Sequence, residues 1–324
     1  MTDTHAPGLF AATVPQALDG MRVDRAVSVL TSVSRSQAAA LVADGRVRVD
    51  GSPILQRSAL LRAGAALSVE LLPAQPPLEP DPAVPFEVVY EDADLVVVDK
   101  PAGVVVHPGA GSRHGTLIAG LVARYPDIGA LGEVSDPGRP GVVHRIDKGT
   151  SGLLVVARSP LAYTSLVAQM GARTVGRRYL ALVAGVVPDD RGVVDAPVGR
   201  STRTPTKMAV TPAGRPARTR YVVLQRAARL FVRGQWSFRT ASLLACTLET
   251  GRTHQIRVHA AAIGHPVIGD DRYGDAATRG MLTNGRLFLH AGELSIDHPV
   301  SGDRLTWRSP LPADLREVLE GPPA

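Results

Sequence analysis

One cysteine in 324 residues leaves no partner for an internal disulfide. Cys246 sits in an apolar run, residues 242–248, and reads as a small core side chain. No apolar run reaches the length of a membrane span. The start, Met1-Thr2-Asp3-Thr4-His5, is polar and carries an acid, unlike a secretory signal. These absences make the cytoplasm the expected location. The nine histidines show no His-Glu-x-x-His or other metal-ligand spacing, and one cysteine cannot build a thiolate site. No Walker motif and no Gly-x-Ser-x-Gly elbow occurs. The glycines between Gly109 and Gly115 miss the dinucleotide-binding spacing by one residue. His144-Arg145-Ile146-Asp147 is one residue too long for a kinase His-Arg-Asp, Gly152 stands where the Asn is needed, and Asp-Phe-Gly is missing. Neither a metal nor a cofactor is expected.

What is present is ordinary for a folded protein: 44% apolar and 20% charged residues. The length fits one large domain or two. The formal charge is +6 and the pI about 9.9. A basic balance favours a polyanionic partner, because neutralised phosphates release counterions.

Residues 1–20 carry no pattern and are expected to be disordered. Residues 21–33 read as a helix, with Val23, Ala26, Val27 and Leu30 at i, i+3, i+4 and i+7. Ser34 and Gln37 form a capping box for a second helix, with Ala38, Leu41 and Val42 as its apolar face and Gly45 as its end. Arg46-Val47-Arg48-Val49 alternates into an Asp50-Gly51 turn, and a last strand covers residues 66–72. The unit, residues 21–72, is a small helix–helix–hairpin domain that exposes Arg22, Arg25, Arg35, Arg46 and Arg48. Residues 73–85 hold six prolines and read as a stiff extended linker.

Residues 86–324 form the second domain. Strands are expected at 86–90, 95–99, 153–157, 179–183, 220–224, 242–248 and 293–296. Helices are expected at 117–125, 160–170 and 254–263. Strands outnumber helices and no βαβα rhythm appears, so the expected fold class is α+β around a mostly antiparallel mixed sheet.

Chemistry concentrates in His144-Arg145-Ile146-Asp147-Lys148-Gly149-Thr150-Ser151-Gly152, a polar loop running into the apolar strand 153–157. A carboxylate beside cations at the end of a buried strand suits a nucleophile or a base. The same pattern fits a structural turn with an Asp–Arg ion pair. A second cluster, Thr250-Gly251-Arg252-Thr253-His254-Gln255-Ile256-Arg257-Val258-His259, lies where a strand gives way to a helix. Two arginines near a helix start call for a facing anion. Arg177-Arg178-Tyr179 opens a strand, and spacing alone makes Tyr179 a core aromatic. Lys100-Pro101-Ala102-Gly103 closes another strand with a shaped loop. Residues 200–220 carry six cations, Lys207 among them, on a loop able to embrace a phosphate backbone or simply to be solvated.

Taken together, these motifs resemble the pseudouridine synthases of the RluA/RluD type, which act on ribosomal large-subunit RNA. The likeness extends over Lys100–Gly103, 144–152, 177–183, 250–259, Gly264-His265-Pro266-Val267-Ile268-Gly269-Asp270, and His290-Ala291 followed by His298-Pro299, in that order. Residues 21–72 are similar to the RNA-binding module named after a small-subunit ribosomal protein. Ile146 stands where leucine is usual, Arg177 where lysine is common, and residues 226–240 resemble an insertion. The resemblance implies isomerisation of uridine to pseudouridine in RNA without a cofactor. It implies Asp147 as nucleophile, Arg257 as its ion-pair partner, and Tyr179 stacked on the uracil, taking or relaying the ring proton. Arg145 would fill the gap left by the flipped base or contact its phosphate. His144, Lys148, Arg252, His254, Arg35, Arg46 and Lys207 would contact RNA or support those that do. A monomer is expected. Transfer RNA as substrate, and an added ribosome-assembly role, are the alternatives.

Overall fold

The computed structural model describes residues 8–33, 35–71, 78–109, 114–227, 229–237, 239–276, 278–282 and 285–322; the side chains of Arg35 and Ser36 lie outside that description. The chain divides into two compact units, residues 1–77 and 78–324.

The smaller unit contains β1 (Leu9–Thr13), α1 (Val23–Thr31), α2 (Arg35–Ala43), β2 (Val47–Val49), β3 (Ser52–Pro53) and β4 (Ala66–Glu70). Its sheet runs β1-β4-β2-β3. Val23, Ala26 and Val27 of α1 and Ala38, Leu41 and Val42 of α2 are buried together over Val47, Leu67 and Val69, so the apolar periodicity of both helices becomes the core. The α1 helix stops two residues before the expected end, because Ser32 turns left-handed at φ 58°. The expected cap at Ser34 lies outside the described residues. Asp50 and Gly51 sit at φ 49° and 78°, as a two-residue hairpin turn requires.

The first twenty residues are not all unstructured, contrary to expectation. Leu9–Thr13 pairs antiparallel with β4 in continuous register. Its residues alternate between exposed and half-buried, so its strand character comes from the partner and not from a local apolar signal. The proline-rich segment, expected as a stiff extended linker, contains the boundary between the two units. From Leu78 onward it belongs to the larger unit, with Leu78 packed on that core and Val84 buried. Residues 72–77 lie outside the described set.

The larger unit continues with β5 (Glu87–Glu91), β6 (Leu95–Lys100), α3 (Leu117–Arg124), α4 (Pro126–Ala130), β7 (Ser151–Ala157), α5 (Pro160–Ala172) and β8 (Gly176–Ala184). Then come β9 (Arg191–Asp195), β10 (Val198–Arg200), β11 (Met208–Val210), β12 (Arg218–Ala227), β13 (Leu230–Val232), β14 (Gln235–Ser237) and β15 (Ala241–Leu248). The chain ends with α6 (Gln255–Ala262), β16 (Leu289–Asp297), β17 (Arg304–Arg308) and α7 (Ala313–Glu320). Nine strands form one sheet in the order β5-β6-β7-β16-β8-β15-β12-β9, with β17 on β16. Every pairing in it is antiparallel except β7 with β16. This is the expected α+β architecture.

All seven residues of β7 are buried, as its unbroken apolar run requires. Gly152, at φ 115°, lies so close to β16 that a Cβ there would collide with the backbone of Ala291. Within the expected insertion 226–240, β13 and β14 pair as a β-hairpin. Leu230 and Val232 pack with Leu315 and Val318 of α7. Among the described residues no helix is long and apolar enough to cross a membrane.

Candidate active site

Three chain segments converge where β7, β8 and α6 begin. The loop before β7 carries Asp147, β8 carries Tyr179, and the first turn of α6 carries Arg257. Arg257 bridges two carboxylates. Its Nη1 donates to Asp147 Oδ2 at 2.9 Å, while Nε and Nη2 donate to the two oxygens of Asp270 at 2.7 and 2.8 Å. The Asp147 side chain is 20% exposed, that of Arg257 9%, and that of Asp270 is fully buried. Asp147 is therefore partly open to solvent, while the arginine that holds it and the carboxylate behind that arginine are not.

Burial alone would lift the Asp270 carboxyl. The hydrogen bonds and charge of Arg257 and the N–H groups of Tyr273 and Arg272 outweigh it and hold the group below its ordinary range. Burial likewise disfavours the Arg257 cation, and the two carboxylates more than reverse that, so its pKa is raised. The anion expected opposite the helix start is thus a pair of carboxylates.

His254 was expected inside the helix and instead precedes it, left-handed at φ 58°. Such backbone costs a non-glycine residue roughly 1–2 kcal/mol and persists where the surroundings enforce it. Its Nδ1 lies 2.7 Å from the Tyr273 hydroxyl, whose oxygen already accepts from Met208 N–H. Its Nε2 lies 3.9 Å from Asp147 Oδ1.

Tyr179 is buried beside the site, and its hydroxyl makes no hydrogen bond among the described residues. Burial pushes its pKa up, Arg177 opposes this and Asp147 adds to it, so the side chain is a neutral phenol. It lines a cavity of about 250 Å³ together with Asp147, Arg145, Arg177, His254 and Arg257. On its other side Asp147 opens on a cleft of about 1100 Å³.

The Asp147 loop is fixed through its backbone. The carbonyl of Lys148 accepts from Gly103 N at 2.7 Å and from Lys100 Nζ at 3.4 Å. Lys100 is fully buried, and its Nζ also donates to the carbonyls of Pro101 and Val104, each at 2.8 Å. Burial pulls its pKa down to about 7. Arg286 donates to Gly149 O at 3.0 Å and to Ser151 Oγ at 2.9 Å.

The remaining expected RNA contacts divide. Arg145 and Lys148 are exposed, Arg145 with Nη1 3.1 Å from His107 Nε2. Arg252 is half-buried and donates from Nε to Pro216 O at 3.0 Å. Lys207 Nζ donates to Arg272 O at 2.7 Å, and Arg46 pairs with Glu70 at 2.7 Å. His144 does not face outward. It is buried, its Nε2 accepts from Val155 N–H at 3.1 Å, and burial pulls its pKa down to about 3, so it is a neutral core imidazole. The side chain of Arg35 lies outside the described residues. Asp270, Tyr273, Lys100 and Arg286 were not expected as site residues. Asp270 closes the block 264–270, and that acid after an apolar run was its only signal.

Residues 94–262 match the family described as RNA pseudouridylate synthase, and residues 21–67 match the S4 domain. The chain belongs to the RNA pseudouridylate synthase family. A Nitrosomonas europaea protein named ribosomal large subunit pseudouridine synthase D is 41% identical over 95% of this chain and 86% of its own. The Pseudomonas aeruginosa protein of the same name is 42% identical over 95% and 94%. An RNA pseudouridine synthase of Chloroflexus aurantiacus is 45% identical over 94% and 91%. Among solved structures, human RNA pseudouridylate synthase domain containing 1 is similar with a TM-score of 0.57 and 28% identity, over 72% of this chain and 86% of that one. The chain is therefore an isomerase acting on RNA, with an RNA-binding domain ahead of the catalytic one.

Proposed function

We propose that this enzyme converts uridine to pseudouridine in ribosomal large-subunit RNA, with Asp147 as the nucleophile and the target base flipped out of its stack. The carrying observation is one carboxylate, partly open to solvent, held at 2.9 Å by an arginine that a second, buried carboxylate orients. The large-subunit target follows from the names of the relatives from Nitrosomonas and Pseudomonas.

The reaction breaks the bond from C1′ to N1 of uracil, turns the base, and joins C1′ to C5. The proton leaves C5 and N1 ends protonated, so atoms balance without water or an external oxidant. A base inside a helix cannot reach Asp147. Flipping costs a few kcal/mol and is least expensive in loops. Tyr179 shares the wall of the 250 Å³ cavity with Asp147, which supports a role for its phenol in stacking on the uracil and relaying the C5 proton. Arg145 contacts the phosphate of the flipped nucleotide or fills the gap it leaves. The small domain adds a second weak hold on the same RNA, which raises the effective concentration of the active site.

The test incubates unmodified large-subunit ribosomal and transfer RNA transcripts with the wild type and with Asp147→Asn, and maps pseudouridine at nucleotide resolution. New pseudouridine in ribosomal RNA with the wild type alone is expected. Equal product from Asp147→Asn would overturn the nucleophile, and product confined to transfer RNA would overturn the target.

A further inference from the structure

We infer that the β13–β14 hairpin is an RNA-binding element of the active-site cleft, in which Arg233 holds a phosphate next to the target uridine. The inference rests on the proposed function only in taking RNA as the cleft's occupant.

The hairpin tip stands in the right place. Phe231, Val232, Arg233 and Gly234 line the same 1100 Å³ cleft as Asp147 and Arg257. The hairpin is anchored, since Leu230 and Val232 pack on α7 and Phe231 meets Trp236 edge-on at 5.5 Å. Residues 229–239 hold three arginines and no acid. One of them, Arg229, lies over the Trp236 ring at 4.2 Å. Asp314, an acid on the same cleft wall, is bonded to Arg286 at 2.6 Å.

The backbone at the tip singles out Arg233. Val232 pairs with Gln235, so Arg233 and Gly234 are the whole turn, at φ 52° and 78°. A turn with two positive φ values favours Asn-Gly or Asp-Gly. The small domain follows that preference with Asp50-Gly51 at its own hairpin. At β13–β14 the strained position carries a long cation instead. Its exposed guanidinium donates from Nη2 to Gly280 O, which leaves further N–H groups for an anion. An unfavourable turn residue that reaches a substrate cleft is explained by what it binds. A half-buried aromatic, Phe231, lies beside it and offers a face on which an unpaired base can stack.

The discriminating substitution is Arg233→Asn, because asparagine suits the turn better than arginine. Binding of the full-length protein to a large-subunit ribosomal RNA transcript is measured across a salt series, with the melting temperature alongside. The expected result is roughly three- to tenfold weaker binding, a salt slope flatter by about 0.7–0.9, and a melting temperature equal to or above the wild type. Unchanged affinity and slope would overturn the inference. So would a weakened affinity whose salt slope is that of the wild type, since no phosphate contact would then have been lost. Pseudouridine formation by the wild type on the same transcript is scored separately, so an inactive wild type would count against the proposed target and not against the hairpin.

Discussion

Arg257 and Asp270 meet through two parallel hydrogen bonds, 2.7 and 2.8 Å, and that fork aims the third arm of the guanidinium at Asp147. Replacing Asp270 by Asn breaks the fork and leaves a buried cation half compensated. Losing one partner of a buried pair typically costs about 3–5 kcal/mol. Asp270→Asn is expected to lower thermal stability by that order and to reduce turnover about 100-fold or more by releasing Asp147. A melting temperature and a turnover number both at wild-type level would mean that Asp270 does not orient the site.

The same carboxylate shapes the acid limb of the stability curve. Its folded pKa is held below its ordinary value of 3.8, so the stability it contributes is present above that value and is lost as pH falls through the folded pKa. His144 acts over a higher window. Its folded pKa is about 3 against 6.5 for the free side chain, so the unfolded chain binds its proton first. Stability falls as pH drops from 6.5 towards 3, by up to about 1.4 kcal/mol per pH unit for this one group. Chemical denaturation at stepped pH should give His144→Gln a shallower slope than the wild type between pH 6 and 4. Parallel slopes would contradict a neutral His144.

Tyr179→Phe keeps the ring and removes the hydroxyl. If the phenol relays the proton from C5, turnover should fall roughly 100- to 10,000-fold while RNA affinity stays within about threefold. Single-turnover assays at saturating RNA separate the two. Full activity in Tyr179→Phe would reduce the residue to a stacking surface.

Gly152→Ala puts a methyl group against the backbone of Ala291 at a φ of 115°. Both the collision and the backbone strain favour separation of β7 from β16, the one parallel pair in the sheet. A loss of about 2–4 kcal/mol is expected, with activity falling further than stability because the junction also carries the Asp147 loop. Denaturation and turnover measured on one preparation would check both.

Much of this site could be read before the fold was known, for a physical reason. Asp147 and Arg257 stand in polar runs that interrupt apolar ones, and side chains in such places are seldom part of a core. Asp270 is different: it lies thirteen residues beyond Arg257 across a turn, a separation that no helix or strand period connects. Lys100 does close β6 as expected, but its complete burial had no signal in the sequence, since lysine is ordinarily a surface residue. The central strands β6, β7 and β15 were evident as apolar runs. The edges β1, β9 and β17 alternate between exposed and half-buried residues, so only their partners identify them.

The Asp147 loop is gripped by its carbonyl oxygens, with Lys100 and Gly103 on Lys148 and Arg286 on Gly149. A grip on the main chain is indifferent to what side chain the residue carries. Position 148 can therefore vary in length and charge while Asp147 next to it keeps its aim. The chemistry proposed for Asp147 needs an aimed side chain, whereas the RNA contact proposed for Lys148 needs only that residue's carbonyl held, so a single loop can keep the two tasks apart.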